Sequence, residues 1–303
     1  MRKVTKVWLG VATSFVIIGL IIFVIVMSVC KWDFDKINTR KYETNIYEID
    51  EEFSSISMDM DIADIKFVLS ENEKCKVECY EEEKSKHSVN VEEDKLIIEV
   101  NNNRAWYDYI GINIGSPKVT VYLPKSEYME LSIKESTGDV EIQAGFMFEN
   151  VSISSSTGSI CVEEAMVGNL ELSTSTGGIT ASNVSCEGDA SFKVSTGKTK
   201  LNNFECKNLT SRGNTGNIYL NNVIASETIS IKRDTGNVRF DASDANEIFV
   251  ETDTGDVEGN LLTDKSFITD TDLGKVDVPK TTNGGKCEII TDTGDIRITV
   301  EQS

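Results

Sequence analysis

Four aspartates, Asp234, Asp253, Asp272 and Asp292, recur at intervals of 19, 19 and 20 residues. Carboxylates repeated at a fixed spacing suit a hard cation such as Ca²⁺, with Asp256, Asp270 and Asp295 as further oxygen donors. A pair of them about 5 Å apart would also suit glycoside cleavage. Cleavage needs one acid with a raised pKa beside one ionised carboxylate, and a uniform ladder gives every member the same surroundings. A lyase would want a basic residue in a groove, but Arg212, Arg233 and Arg239 show no partner pattern and read as solvated surface charge. Ser136, Ser156, Ser175, Ser195 and Asn214 fill the equivalent place in earlier copies. What all these residues share is a short side-chain oxygen able to accept from a nearby amide, so turn capping is preferred over cation binding. No catalytic residue, cofactor or metal is assigned, and the chain is read as a non-enzyme.

Other reactive side chains are sparse. His87 is the one histidine, in a charged stretch that reads as an exposed loop, so neither a zinc site nor a Ser-His-Asp triad is expected. The seven cysteines form no CxxC pair. Cys186 and Cys206 occupy equivalent places in successive repeats and Cys75 and Cys79 share one strand face; all four read as buried thiols. Trp106, Tyr107 and Tyr109 could form a contact patch for glycan or protein, or close one end of the domain.

The element that must carry these residues is a repeat. Gly138, Gly158, Gly177, Gly197, Gly216, Gly236, Gly255, Gly274 and Gly294 stand 19 or 20 residues apart, all but Gly274 after a threonine. With each glycine as zero, positions −7, −5, +2 and +4 are predominantly apolar, as in Leu131, Ile133, Val140 and Ile142. Alternation of period two on both sides of a glycine predicts two short strands per repeat, with glycine at a corner of positive φ. One such coil buries only a thin face, so coils must stack, and the expected fold is an all-β parallel β-solenoid of about nine regular coils. Ile56, Met58, Met60, Ala63, Ile65 and Phe67 fall on −7, −5, −3, 0, +2 and +4 of a degenerate first coil in which Ala63 replaces the glycine. A hairpin near 75–80 and 89–100 and a strand at 119–123 are expected to cap the stack.

Val7 to Val29 is almost wholly apolar, long enough to span a bilayer as a helix, and follows Arg2, Lys3 and Lys6. An uncleaved anchor is favoured over a cleaved leader or a lipoprotein at Cys30, because Val29 sits where cleavage wants a small residue. The expected organisation is a basic tail and transmembrane helix at 1–30, a tether at 31–43, a β-rich cap at 44–130 and the solenoid at 131–303. The net charge of −20, from 30 basic and 50 acidic residues, argues against nucleic acid as a partner.

The stretch Lys118-Val-Thr-Val-Tyr-Leu-Pro124, then Met129 to Ile142 with Ser-Thr-Gly-Asp, then the repeated Ser-Thr-Gly unit, resembles the bacterial "putative adhesin" β-strand-repeat family, a domain of unknown function. The resemblance covers roughly residues 50–300 and implies a β-solenoid at the cell envelope, often behind one membrane helix. It supplies no catalytic residues. Against the family pattern, the Asp after Gly survives only at Asp139, Asp256 and Asp295. The reading that results is a single-pass membrane protein whose extracytoplasmic solenoid presents a surface for adhesion or for an envelope protein or glycan. An accessory role in envelope-stress regulation is the alternative, and a carbohydrate-active β-helix enzyme is a weaker one.

Overall fold

The computed structural model describes residues 3–33, 40–102, 104–106, 115–281 and 283–301. Helix α1, Lys3–Val29, contains a stretch, Val4–Val29, long and apolar enough to cross a membrane. The chain divides into two compact units. One comprises residues 1–43, 82–85 and 102–115. Within it Arg40 and Arg104 place guanidinium nitrogens 3.2 and 3.5 Å from Glu82 Oε2. The other unit, with residues 44–81, 86–101 and 116–303, is the solenoid.

The inner coils bury the four predicted positions, as at Leu170, Leu172, Ile179 and Ala181, whereas in the outermost Gly274 coil Phe267, Thr269 and Val278 are half-buried and Val276 is exposed. Three further inward positions were not read from the sequence of the regular coils. Position −3 holds buried Glu135, Ser155, Thr174, Val194, Arg233, Thr252 and Thr291. Positions +7 and +9 hold pairs such as Val184 with Cys186 and Phe204 with Cys206. Between +4 and +7 the chain turns a second corner through Glu164, Asn183, Asn203, Asn222 and Ala242, whose φ lies between 45° and 55°. Asparagine tolerates that region better than most side chains, and here it also links coils. Asn203 Nδ2 donates to Asn183 Oδ1 at 2.8 Å, and Asn222 Nδ2 to Asn203 Oδ1 at 3.0 Å.

The first corner needs glycine for two reasons. At Gly158, φ is 145°, and a Cβ would stand 1.8 Å from the carbonyl oxygen of Gly138 in the coil below. The close approach of backbones therefore excludes every side chain, whatever its torsional preference.

Coils do not stack in sequence order at either end. Strands β1 (Tyr42–Ile49), β2 (Ser55–Ile62), β3 (Asp64–Leu69), β4 (Cys75–Glu82), β5 (Ser85–Glu92), β6 (Lys95–Asn102), β7 (Lys118–Leu123), β8 (Glu127–Thr137) and β9 (Val140–Ile142) build the first part. β2 and β3 pair in parallel with β8 and β9, with Ile56 opposite Leu131 and Ile65 opposite Val140, so Ala63 takes the corner place. On their other edges β2 pairs with β6 and β3 with β7. The degenerate coil is therefore second in the stack, and a later part of the chain lies outside it. At the other end the strand Val238–Thr254 pairs with Gly285–Thr293, which pairs in turn with Lys265–Leu273. The Gly294 coil is thus inserted between those of Gly255 and Gly274, correcting the sequential order expected of the repeat.

Three other expectations are corrected. The single hairpin is three strands, β4, β5 and β6, and β4 also pairs antiparallel with β7. His87 lies in β5 and is 5% exposed, not in an open loop. Arg233 is 1% exposed: its Nη1 donates to Val194 O at 2.8 Å across two coils, through space that Gly213 leaves free.

Candidate functional site

The repeat glycines singled out from the sequence, and the short polar residues beside them, fall at the glycine corner. There the caps come from position +1. Ser159 N donates to Asp139 Oδ1 at 2.7 Å, Asp256 N to Asn237 Oδ1 at 3.0 Å, Asp295 N to Asp256 Oδ1 at 2.8 Å and Lys275 N to Asp295 Oδ1 at 2.7 Å. Each side chain thereby satisfies an amide of the neighbouring coil. Inside the corner, position −3 does the complementary work. Thr174 Oγ1 donates to Gly158 O at 2.9 Å, Thr291 Oγ1 to Gly255 O at 3.1 Å and Thr271 Oγ1 to Gly294 O at 3.0 Å.

Asp234, Asp253, Asp292 and Asp272 lie outside the corner, exposed, in that spatial order. Asn214 Nδ2 donates to Asp234 Oδ2 at 2.9 Å, a side-chain contact along the same row. No three of these carboxylates gather: among the described residues, the group of metal-capable side chains whose ligand atoms lie within 4.8 Å of one another is Cys79, Glu81 and His87. Gly138, Gly177, Gly197, Gly216, Gly236, Gly255 and Gly294 share the positive φ of Gly158, between 132° and 159°, whereas Gly274 is held by contact alone, its Cβ position 1.9 Å from Gly294 O. Trp106 is 77% exposed, and Tyr107 and Tyr109 lie outside the described residues.

A groove of about 490 Å³ runs over one side of the stack across the coils of Gly138, Gly158 and Gly177. Its floor is Tyr128, Phe148 and Val167, all buried, with the Tyr128 and Phe148 rings 5.7 Å apart. Met129 and Met166, 57% and 55% exposed, and half-buried Met147 line it, and Glu127, Glu149 and Glu187 stand at its edges. Thioether side chains reshape at little cost, so such a surface accepts apolar groups of varied outline.

The Cys79, Glu81 and His87 group is closed to solvent, at 0, 0 and 5% exposure. Glu81 Oε2 accepts from the His87 backbone amide at 2.6 Å and lies 2.5 Å from ring Nδ1, while Asn45 Nδ2 donates to Oε1 at 2.6 Å. Burial opposes ionisation of Glu81, but these bonds outweigh it and hold the carboxyl below its ordinary pKa. Burial, reinforced by Glu81 and Glu78, pushes the Cys79 thiol up to about 12. A buried thiol so far from ionising is not an activated nucleophile.

A family model for the Toastrack DUF4097 domain matches residues 53–299. The chain belongs to the Toastrack DUF4097 family. Among curated proteins no sequence matches it. Similar solved structures include a "putative adhesin" from Parabacteroides merdae at 12% identity and TM-score 0.56, covering 86% of this chain and 98% of that one. Another "putative adhesin", from Bacteroides fragilis, has 16% identity and TM-score 0.53 over 86% of this chain and 97% of that one. A "putative lipid binding protein" from Parabacteroides distasonis has 11% identity and TM-score 0.51 over 86% and 98%. At such identities the likeness is one of fold.

The Toastrack corner was legible because its glycines repeat. The groove was not: Met129 and Met166 stand on outward phases of strands, and the available signal was apolar residues where the alternation wants polar ones. The Cys79, Glu81 and His87 group went unread because Cys79 and Glu81 share a strand face while His87 arrives after a turn, a pattern with no repeat and no second histidine.

Proposed function

We propose that this Toastrack protein is a membrane-anchored, non-catalytic recognition module, held by α1 with its solenoid outside the cytoplasm. The observation that carries the reading is the methionine groove. Exposed apolar side chains lie side by side over about 490 Å³ of concave surface, on a protein whose net charge is −20 and whose neighbouring ladders are Ser, Thr and Asn. Clustered exposed apolar groups on an otherwise polar surface mark a contact site. With an aromatic floor and three glutamates at its edges, the groove favours an envelope protein segment that offers apolar side chains flanked by Lys or Arg. A uniformly hydroxylated glycan would leave the methionines unmatched.

The exposure of all four ladder aspartates supports binding without turnover, since acid–base catalysis wants a carboxyl set in a less polar environment than its partner. The test is a photo-cross-linking residue placed at Met166 or at Asp234 of the full-length protein in cells. A discrete adduct from Met166, absent from Asp234 and lost with Met129→Glu, is expected. Equal or no adducts from the two positions would remove the groove from the account.

A further inference from the structure

The structure assigns a second, independent site: a thiophilic divalent cation, with Zn²⁺ the best match, held by Cys79 Sγ, the Glu81 carboxylate and a ring nitrogen of His87 across the β4 and β5 strands. One ligand atom from each residue lies within 4.8 Å of the others. Zinc bonds of about 2.0 to 2.3 Å place tetrahedral ligands some 3.3 to 3.8 Å apart, so side-chain shifts of roughly an ångström would close the shell.

Three observations support the assignment. His87 Nδ1 lies 2.5 Å from Glu81 Oε2 inside the group, so Nδ1 is the ring nitrogen that an ion shared with the carboxylate would take, while Nε2, buried without a hydrogen-bond partner, lies on the far side of the ring. Glu81 is fully buried with its carboxylate against the His87 ring, so a donor oxygen is already held beside the imidazole. The backbone is already braced: Tyr47 Oη donates to His87 O at 3.0 Å and Asn45 holds the second Glu81 oxygen. Supported ligands are what a metal site requires.

The donor set chooses the ion. Sulfur and imidazole nitrogen beside one carboxylate oxygen exclude Ca²⁺ and Mg²⁺, which want oxygen throughout, and favour zinc. On binding, the Cys79 S–H bond breaks, the sulfur keeps the electron pair and donates it to the metal, and the proton leaves to solvent. Three protein ligands leave a fourth position for one water.

The experiment uses the full chain in detergent, stripped with chelator, exposed to Zn²⁺ or Co²⁺ alone and desalted. About one equivalent of zinc per chain should remain, and cobalt should show a thiolate charge-transfer band in the near ultraviolet. Cys79→Ser and His87→Ala should each weaken binding at least about tenfold, while Cys206→Ala, at a buried thiol elsewhere, should retain it. Circular dichroism identifies folded variants. If His87→Ala does not fold, Glu81→Gln, which keeps the shape and the Asn45 contact, should weaken zinc binding in its place. Substoichiometric zinc in the parent protein, a cobalt complex without the thiolate band, or equal binding by folded Cys79→Ser would overturn the assignment.

Discussion

The middle of the solenoid and its two ends solve different problems with one repeat. From Gly158 to Gly236 every coil sits on its sequence neighbour, and the same few bonds recur at each corner. At the ends the chain leaves that order. Near the N-terminal end β2 and β3 are clamped between β6, β7 on one side and β8, β9 on the other; near the C-terminal end the Gly294 coil is clamped between those of Gly255 and Gly274. A coil paired on both edges cannot fray without breaking two ladders, whereas a terminal strand left outermost could peel away. Buried ionisable groups gather at the same ends: Glu81, His87 and Glu135 at one, and Asp244 with Lys265, 2.6 Å apart, at the other. Among the described residues Arg233 is buried in the middle, as are the Cys186 and Cys206 thiols. Stacking is specified by repetition, termination by particular side chains.

Breaking that comparison should cost most at the corners. In Gly216→Val the new Cβ would lie 1.9 Å from Gly197 O, in a coil paired on both sides. Nothing can shift without opening the stack, so a loss of roughly 4 kcal/mol or more is expected, with the cooperative melt broadened or abolished. Gly274→Val makes a clash of equal size, 1.9 Å from Gly294 O, but in the outermost coil. Its effect should stay local, about 1 to 3 kcal/mol, with hydrogen-exchange protection lost near 265–278 and kept elsewhere. Equal losses from the two variants would show that the coils unfold as one unit and that the ends are not distinct.

The next effect concerns the buried carboxyl where the degenerate coil meets the first regular one. Glu135 is 4% exposed, its Oε1 accepts from Ala63 N at 3.1 Å, and its Oε2 has no partner. Burial raises its pKa to about 8, with Asp64 and Asp61 adding to a shift that the Ala63 and Thr137 amides oppose. The folded state therefore holds a proton that the unfolded chain, titrating near its ordinary value, has released. Stability contributed by this group is present below the unfolded pKa and is lost as pH rises towards 8, by at most about 5 kcal/mol. Glu135→Gln should flatten the fall in melting temperature between pH 5 and 8 and exceed the parent protein in stability above it. A parallel pH dependence in the two proteins would rule out a neutral Glu135 in the fold.

The same contrast explains what was readable in advance. Leu131, Ile133, Val140 and Ile142 and their equivalents announced themselves because a two-residue period was itself repeated every 19 or 20 residues. Even Ala63 could be set in register. Position −3 escaped in the regular coils because most of its members there are polar, and a polar line reads as outward until the structure shows Thr174 and Thr291 donating to corner carbonyls. The exchanged coils escaped because Gly274 and Gly294 keep the spacing of their neighbours, and only pairing reveals which coil is outermost. His87 and Arg233 were misplaced for a common reason. A charged residue among charged neighbours looks solvated, whereas its burial depends on partners distant in the chain, such as Val194 O, 39 residues from Arg233.

The smallest effect separates the two polar rows of the corner. Asn237 Oδ1 accepts from Asp256 N at 3.0 Å, and Asn237 N donates to Asn217 Oδ1 at 3.0 Å, so the row at +1 runs through hydrogen bonds from coil to coil. Asn237→Ala removes one acceptor and should cost about 1 kcal/mol. Asp253 is exposed in a row whose neighbours, Asp234 and Asp292, carry the same charge. Asp253→Asn should therefore stay within about 0.5 kcal/mol of the parent, with any change a gain from relieved repulsion at low salt. Urea melts of the two variants, with and without millimolar Ca²⁺, rank the rows directly. A calcium-dependent stabilisation of the parent that vanishes in Asp253→Asn would move the outer carboxylates from bystanders to ligands, and with them the weight of the corner from its amides to its surface.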